Sequence, residues 1–209
     1  MKEIDKEIFH WINGWSNGVA PFYDALSEGN KMWPVRIALL VLAIALIAAG
    51  PKTRKAAIFA LAGVLISNEI TNLLKDFIPV DRPCKELADS INVLHQIGIW
   101  QTEDALKAQS LLFGIYYHGV GFLTSAGTAS AHAANTAAIA FAFTYFLRWW
   151  GVIPILLSLL TGIARIYVGV HYPSQVLYGW IVGAAVGSAL VFGCRYYEAR
   201  KKPKPQPES

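Results

Sequence analysis

Five long apolar blocks constrain the fold of this chain more than any other feature. They lie near residues 34–50, 56–73, 131–147, 151–168 and 174–194. Most of them approach the roughly 20 residues that an α-helix needs to cross the hydrocarbon core of a membrane. A helix satisfies its own backbone hydrogen bonds, as lipid requires. The sequence therefore predicts an all-α, polytopic membrane bundle of about five or six transmembrane helices.

Composition supports a single membrane domain. Only 15% of the 209 residues are charged, whereas soluble domains carry about 25%. We expect a membrane-embedded domain over residues 1–199 and a disordered, basic, cytoplasmic tail over residues 200–209. The net charge of +4 mostly reflects that tail, and no nucleic-acid motif is present, so a nucleic-acid partner is not expected. Cys84 and Cys194 fall at opposite membrane faces in the topology below, so no disulfide is expected between them.

The first residues mix charge and aromatics and do not resemble a signal peptide. Ile4, Ile8 and Trp11, with Phe9 and Ile12, form an amphipathic stripe. Two interpretations stay open for this stretch. It is either a helix lying in the membrane interface or a helix packed against the bundle.

Basic residues indicate the topology, because Lys and Arg concentrate on the cytoplasmic side. They occur in the turn 51–55, at Arg148 and in the tail. An even number of apolar blocks separates each of these regions from the next, so all three can lie on the cytoplasmic side. Residues 1–33, 75–129 and 169–173 then face outward. The stretch 103–123 is read either as an interfacial or re-entrant helix over a site, or as a sixth membrane segment. The tail either contacts anionic lipid or only marks the inner side.

Three polar clusters interrupt the apolar pattern on the predicted outer face. They read KDFIPVDRP (75–83), GTASAHAAN (127–135) and ARIYVGVHYPSQ (164–175). Taken singly, several members also suit structural roles, such as snorkelling for Lys75 and Arg82 or helix capping for Ser130. Arg165 is harder to explain in this way, because an ionisable group inside an apolar helix is a functional candidate.

Together the clusters predict a site for a tetrahedral anion. Arginine grips such an oxyanion through a bidentate fork, and lysine adds a point charge. The outward N-termini of the third and fifth apolar helices also favour phosphate. No acidic cluster is present for Mg²⁺ or Zn²⁺, so no metal or cofactor is expected. The chemistry then falls to the two histidines, His132 and His171.

The clusters resemble the three-part signature of the type-2 phosphatidate phosphatase superfamily: Lys-x6-Arg-Pro, Pro-Ser-Gly-His and Ser-Arg-x5-His-x3-Asp. The resemblance covers roughly residues 55–195. The matching residues are Lys75, Arg82 and Pro83 in the first part, Ser130 and His132 in the second, and Arg165 and His171 in the third. Four positions depart from the signature: Ala129 replaces Pro, Ala131 replaces Gly, Ala164 replaces Ser and Gln175 replaces Asp.

The resemblance implies a role for each matching residue. His171 attacks phosphorus and forms a phosphohistidine, and His132 protonates the departing oxygen and then assists water. The phosphoryl oxygens are held by Lys75, Arg82, Ser130 and Arg165. The resemblance also implies a helical bundle with its site at the outer interface and no metal requirement.

Gln175 stands where the resemblance implies an aspartate that orients the nucleophile. It follows His171 by four residues, and Pro173 is placed to start a helix between them. The amide offers an acceptor oxygen but no negative charge, so an acidic residue here is expected to raise kcat. Alternatively, Gln175 is an N3 cap that returns a hydrogen bond to the backbone of Tyr172. A natural weaker enzyme, a degenerate binder and a laboratory substitution all remain open.

The leading hypothesis is therefore a metal-independent phosphatase in the plasma (inner) membrane, acting on a phosphorylated lipid with its site facing the exterior. Undecaprenyl pyrophosphate, phosphatidate, phosphatidylglycerol phosphate and the 1-phosphate of lipid A are candidate substrates. A non-catalytic binder or carrier of lipid phosphates and a lipid phosphotransferase are the alternatives. Membrane lipids are the expected surroundings, and the oligomeric state is left open.

Overall fold

The computed structural model describes residues 2–29, 32–83 and 127–201. Within them the long helices are α1 (Lys2–Asn13), α2 (Ala20–Glu28), α3 (Trp33–Ala49), α4 (Pro51–Phe77), α5 (Ala131–Leu147), α6 (Val152–Tyr167) and α7 (Pro173–Lys201). Short 3-10 turns occur at Asn17–Val19 and Arg148–Gly151. These ranges contain no strand, so the all-α prediction is confirmed. The predicted interfacial or membrane segment 103–123 and Cys84 lie outside the described residues.

Three helical segments of the described residues are long and apolar enough to cross a membrane, namely Pro51–Phe77, Ala131–Tyr167 and Pro173–Arg200. The bent pair α2–α3 makes a fourth if it counts as one span. The prediction of at least five spans counted α5 and α6 separately. They have 17 and 16 residues and form one 37-residue segment by length and composition. The chain nevertheless reverses direction between α5 and α6. This is shown by Thr136 Oγ1 on α5, which lies 2.9 Å from Ser158 Oγ on α6.

Small residues set the spacing between α5 and α7. Gly179, Gly183 and Gly187 recur every fourth residue along the face of α7 that meets α5. A Cβ atom on Gly183 would overlap the carbonyl oxygen of Ala134, so no larger residue fits without moving a helix. Such close backbone approach is typical of helix packing in membranes, where van der Waals contact replaces the hydrophobic effect.

The basic turns gather at one end of the bundle. Lys55 Nζ at the start of α4 lies 3.1 Å from Glu198 Oε1 near the end of α7. The rings of Phe59 and Phe146 are 5.2 Å apart, which brings the α5–α6 turn to the same end. The three polar clusters lie at the opposite ends of these helices. This separation agrees with the grouping that the charge pattern predicts.

Helix α1 packs against the bundle with one face only. Phe9 and Ile12 are buried, whereas Ile4, Ile8 and Trp11 are exposed. Phe9 stacks edge to face on Tyr172, with ring centroids 5.5 Å apart. The structure thus shows the packed helix of the second interpretation, while its outer apolar residues remain available to the membrane interface.

The last helix overlaps the first two residues of the stretch predicted as a tail. Helix α7 runs to Lys201, so residues 200 and 201 are helical. Residues 202–209 lie outside the described part of the chain.

Candidate active site

Backbone hydrogen bonds bring the three clusters together. Helix α4 ends at Phe77, just before Pro79, which disfavours helical geometry at the preceding residue. The amide of Gly127 donates to the carbonyl oxygen of Val80 at 2.7 Å, and the amide of Ser130 donates to the carbonyl oxygen of Gln175 at 2.9 Å. The segment that leads into α5 therefore lies between the end of α4 and the start of α7.

A tight turn after α6 places His171. Gly169 has a φ of 78°, a left-handed conformation that glycine adopts without steric cost. The turn carries the chain back, so that the amides of Val170 and His171 both donate to the carbonyl oxygen of Arg165 at 3.2 Å. The side chain of His171 is buried.

The Arg82 guanidinium lies beside the outer ring nitrogen of His171. Its Nη1 is 3.5 Å from His171 Nε2 and 3.5 Å from the carbonyl oxygen of Val170. A guanidinium group can only donate, so this neighbour disfavours a proton on Nε2. The partners thus assign the proton of a neutral His171 to Nδ1 and leave the Nε2 lone pair facing the Arg82 guanidinium.

Gln175 accepts on the other side of the ring. Its Oε1 lies 3.1 Å from His171 Nδ1 and accepts from the amide of Tyr172 at 3.1 Å. Its Nε2 donates to the carbonyl oxygen of Asp81 at 2.9 Å. One side chain therefore makes both contacts considered from the sequence, one to the ring of His171 and one to the backbone at the start of α7. The two fixed partners determine which way the amide group faces.

Burial lowers the pKa of His171 well below its ordinary value. The positive charges of Arg82 and Arg165 lower that pKa further, Lys75 adds a smaller effect, and the hydrogen bond with Gln175 acts in the opposite direction. The imidazole is accordingly neutral at neutral pH, which is the protonation state that a nucleophile needs.

Ser130 and His132 lie at the start of α5. Ser130 is fully buried and is the N-cap residue, with its Oγ accepting from the amide of Ala133 at 3.4 Å. The capping role expected from the sequence is thus present. His132 follows in the first helical turn and is half-buried.

The remaining two cations sit at helix ends. Lys75 lies in the last turn of α4, with its Nζ 3.4 Å from Asn72 Oδ1. Arg165 is buried in the last turn of α6, and its Nη1 donates to Ser27 Oγ at 2.7 Å and to Glu28 Oε1 at 2.7 Å. Sequence reasoning did not single out Ser27 or Glu28. The one available signal for this contact was the position of Glu28, an acidic residue shortly before the apolar block 34–50.

The comparison with protein families agrees with this arrangement. The family model described as the PAP2 superfamily matches residues 56–199, which is more than half of the chain and includes all three clusters. The chain belongs to the PAP2 superfamily. A search of curated proteins and a search of solved structures returned no match. Membership confirms the resemblance seen in the sequence and supports phosphatase activity on phosphorylated lipids.

Two further residues shape the site of this PAP2 protein. A Cβ atom on Gly127 would lie 2.7 Å from Arg82 Cγ and 2.9 Å from both amide atoms of Gln175, so the position requires a residue without a side chain. Asp5 of α1 accepts from the amide of Ser174 at 2.8 Å and from its hydroxyl at 2.6 Å. It thereby satisfies a free amide at the start of α7. No pattern in the sequence indicated this contact, because Asp5 and Ser174 are 169 positions apart.

The described residues of this PAP2 protein contain no group of three or more His, Cys, Asp or Glu side chains arranged to hold a metal ion. The polar groups beside the His171 ring are the Arg82 guanidinium and the Gln175 amide, and the nearby carboxylate of Glu28 is paired with Arg165. Such a set suits an anion that is bound and attacked directly by protein groups.

Proposed function

We propose that this PAP2 protein removes phosphate from a lipid headgroup at the outer face of the membrane, without a metal, through a phosphohistidine on His171. The observation that carries the proposal is the environment of His171. The ring is buried and neutral, Gln175 accepts at Nδ1, and the Arg82 guanidinium lies beside Nε2. This arrangement presents one lone pair next to a group that binds phosphoryl oxygens.

In the first step, the Nε2 lone pair attacks phosphorus and the bond from phosphorus to the headgroup oxygen breaks. His132 gives its proton to that oxygen. Positive charge develops on the ring of His171, and its Nδ1 proton stays hydrogen-bonded to Gln175. The non-bridging oxygens bind Arg82, Lys75 and Arg165 as the charge redistributes.

In the second step, water attacks the phosphorus of the phosphohistidine. His132, now neutral, accepts a proton from that water, and the bond from phosphorus to Nε2 breaks. Free phosphate leaves, and His171 returns to its neutral form with the proton on Nδ1. No oxidant, reductant or additional reactant enters the cycle.

The exposed surface near the site suits a lipid substrate. Phe77 and Ile78, at the end of α4, are 80% and 55% exposed, and they precede Arg82 by only a few residues. Helix α3 buries none of its residues in the described structure. Acyl or prenyl chains can thus run along apolar helix surfaces while the headgroup reaches the cations.

The first experiment measures phosphate release in detergent from four lipids: undecaprenyl pyrophosphate, phosphatidate, phosphatidylglycerol phosphate and a lipid A 1-phosphate. We expect release from at least one lipid in the presence of EDTA, with inhibition by orthovanadate. His171→Ala should abolish release, whereas His10→Ala, an exposed histidine on α1, should not.

Other results would redirect the proposal. Binding of these lipids without phosphate release would favour a carrier, and product that depends on a lipid acceptor would favour a phosphotransferase. Activity that is lost in EDTA and restored by Mg²⁺ or Zn²⁺ would contradict metal-independent chemistry.

A further inference from the structure

The end of α2 holds the Arg165 guanidinium, although α2 lies outside the family-matched residues 56–199. Arg165 Nη1 donates to Glu28 Oε1 and to Ser27 Oγ, each at 2.7 Å, and more weakly to the carbonyl oxygen of Ser27 at 3.4 Å. The Arg165 side chain is 3% exposed and that of Glu28 is 21% exposed. A buried guanidinium needs a counter-charge, and Glu28 supplies one here.

Arg165 is also tied to the nucleophile. Its carbonyl oxygen accepts the amide of His171 at 3.2 Å. Its positive charge is among the causes that lower the pKa of His171, so the guanidinium acts electrostatically within the site. Arg165 thus connects the Glu28 carboxylate with the proposed phosphate site around His171.

We propose that Glu28 is a positioning residue that sets the anion affinity of the phosphate site by pairing with Arg165. Its carboxylate holds Arg165 while the site is empty and competes with phosphate oxygens for the guanidinium once an anion binds. The proposal rests on the proposed function in taking phosphate as that anion. It adds a residue from the N-terminal helices to a site that the three clusters alone would define.

The competition has a clear electrostatic consequence. Lys75, Arg82 and Arg165 bring positive charge to the site, and Glu28 is a carboxylate in direct contact with one of these cations, Arg165. Without Glu28 the site would bind phosphate more tightly and release the product more slowly, which matters where release limits turnover.

The test measures anion binding directly, so it does not depend on turnover. Full-length protein in detergent is titrated with inorganic phosphate and with orthovanadate by calorimetry. Glu28→Gln keeps the side-chain length and an acceptor oxygen but removes the charge. We expect the Kd for both anions to fall about tenfold, which corresponds to about 1.4 kcal/mol. On an active substrate, KM and the Ki for phosphate should fall while kcat does not rise.

Glu198→Gln is the matched control, because Glu198 is also paired with a cation, Lys55, at 3.1 Å but at the opposite end of the bundle. It should leave both Kd values unchanged. Glu28→Asp retains the charge with less reach, so we expect binding between that of the wild type and that of Glu28→Gln. If Glu28→Gln does not fold, anion binding by Glu28→Asp tests the role of Glu28 instead.

Unchanged or weaker anion binding in Glu28→Gln, or in Glu28→Asp if the former does not fold, would overturn the role of Glu28. A wild-type protein that binds neither anion would overturn it as well. The lipid assay judges the proposed function separately. A protein that binds phosphate under Glu28 control but hydrolyses no lipid would contradict the phosphatase while supporting this inference.

Discussion

Gln175 Oε1 lies 3.1 Å from His171 Nδ1, and Nε2 of the same amide donates to the carbonyl oxygen of Asp81 at 2.9 Å. One buried side chain thereby connects the histidine after α6 with the segment that carries Arg82. The amide of Ser130 adds the third cluster through the backbone oxygen of Gln175. Gln175 is thus the point at which all three clusters meet, and its amide nitrogen has a use that a carboxylate cannot supply.

Gln175→Glu is therefore expected to lower kcat, which reverses the expectation from the sequence. The variant keeps the side-chain length but places a carboxylate oxygen against the carbonyl oxygen of Asp81. Leaving a buried polar group without its partner costs about 1–3 kcal/mol, which offsets the benefit of a negative charge beside His171. Steady-state kinetics should show a loss of about tenfold in kcat with little change in KM.

Gln175→Asp separates the two effects, because its shorter side chain withdraws from Asp81 and still carries a charge. It should be faster than Gln175→Glu. A Gln175→Glu variant that exceeds the wild type would show that charge outweighs the bond to Asp81.

The pKa of His171 offers a second prediction. Because the folded pKa lies well below 6.5, His171 should stay neutral at pH 6.5, where an ordinary histidine is half protonated. The neutral form of His171, which the proposed mechanism needs, is then lost only as the pH falls through the lower, folded value. The unfolded chain takes up this proton first, so this histidine also makes stability fall as the pH drops below about 6.5.

Nitrogen NMR of ¹⁵N-histidine-labelled protein in detergent can follow this titration between pH 4.5 and 8. His171→Asn removes the two ring-nitrogen resonances of one histidine and so assigns them. A midpoint at or above 6.5 in the wild type would show that burial and the two arginines do not control this ring.

Gly127→Ala should damage the site and the fold together. The added methyl group would meet Arg82 Cγ and the Gln175 amide closer than van der Waals contact allows. Overpacking of this kind costs about 1–3 kcal/mol, so both thermal stability and kcat should fall. Gly193→Ala is the control, since its Cβ would meet nothing within 4 Å. Equal behaviour of the two variants would argue against the close packing of the clusters.

The proposed orientation can be tested with an impermeant thiol reagent in intact cells, on a background in which Cys84 and Cys194 are replaced by Ser. Val80→Cys lies at the site end and Trp149→Cys at the basic end, and both positions are exposed. The positive-inside pattern predicts labelling at 80 and protection at 149. The reverse pattern would invert the topology.

The sequence predicted the helices well because their signal is strong. Apolar blocks bounded by Pro51, Ser130 and Pro173 became helices whose ends lie close to those residues. The cluster spacing also identified the residues around His171. Such signals depend on neighbours along the chain, where a few residues determine the local geometry.

The long-range contacts could not be predicted in the same way. Glu28 reaches Arg165 across 137 positions, and Asp5 reaches Ser174 across 169. No local pattern encodes which acidic side chain will meet which partner. The amide nitrogen of Gln175 gave no signal either, because its acceptor is the backbone carbonyl of Asp81 and any residue there presents one.

The most direct test of the account is to trap the covalent intermediate. Protein is mixed with a ³²P-labelled lipid substrate from the release assay, quenched in alkali because phosphohistidine is acid-labile, and digested for peptide mapping. We predict label on His171 at Nε2 in the wild type and none in His171→Ala. In His132→Ala the label should form more slowly and also decay more slowly, because that variant lacks both the acid of the first step and the base of the second. Label on His132 alone, or undiminished turnover in His171→Ala, would contradict the assignment of His171 as the nucleophile.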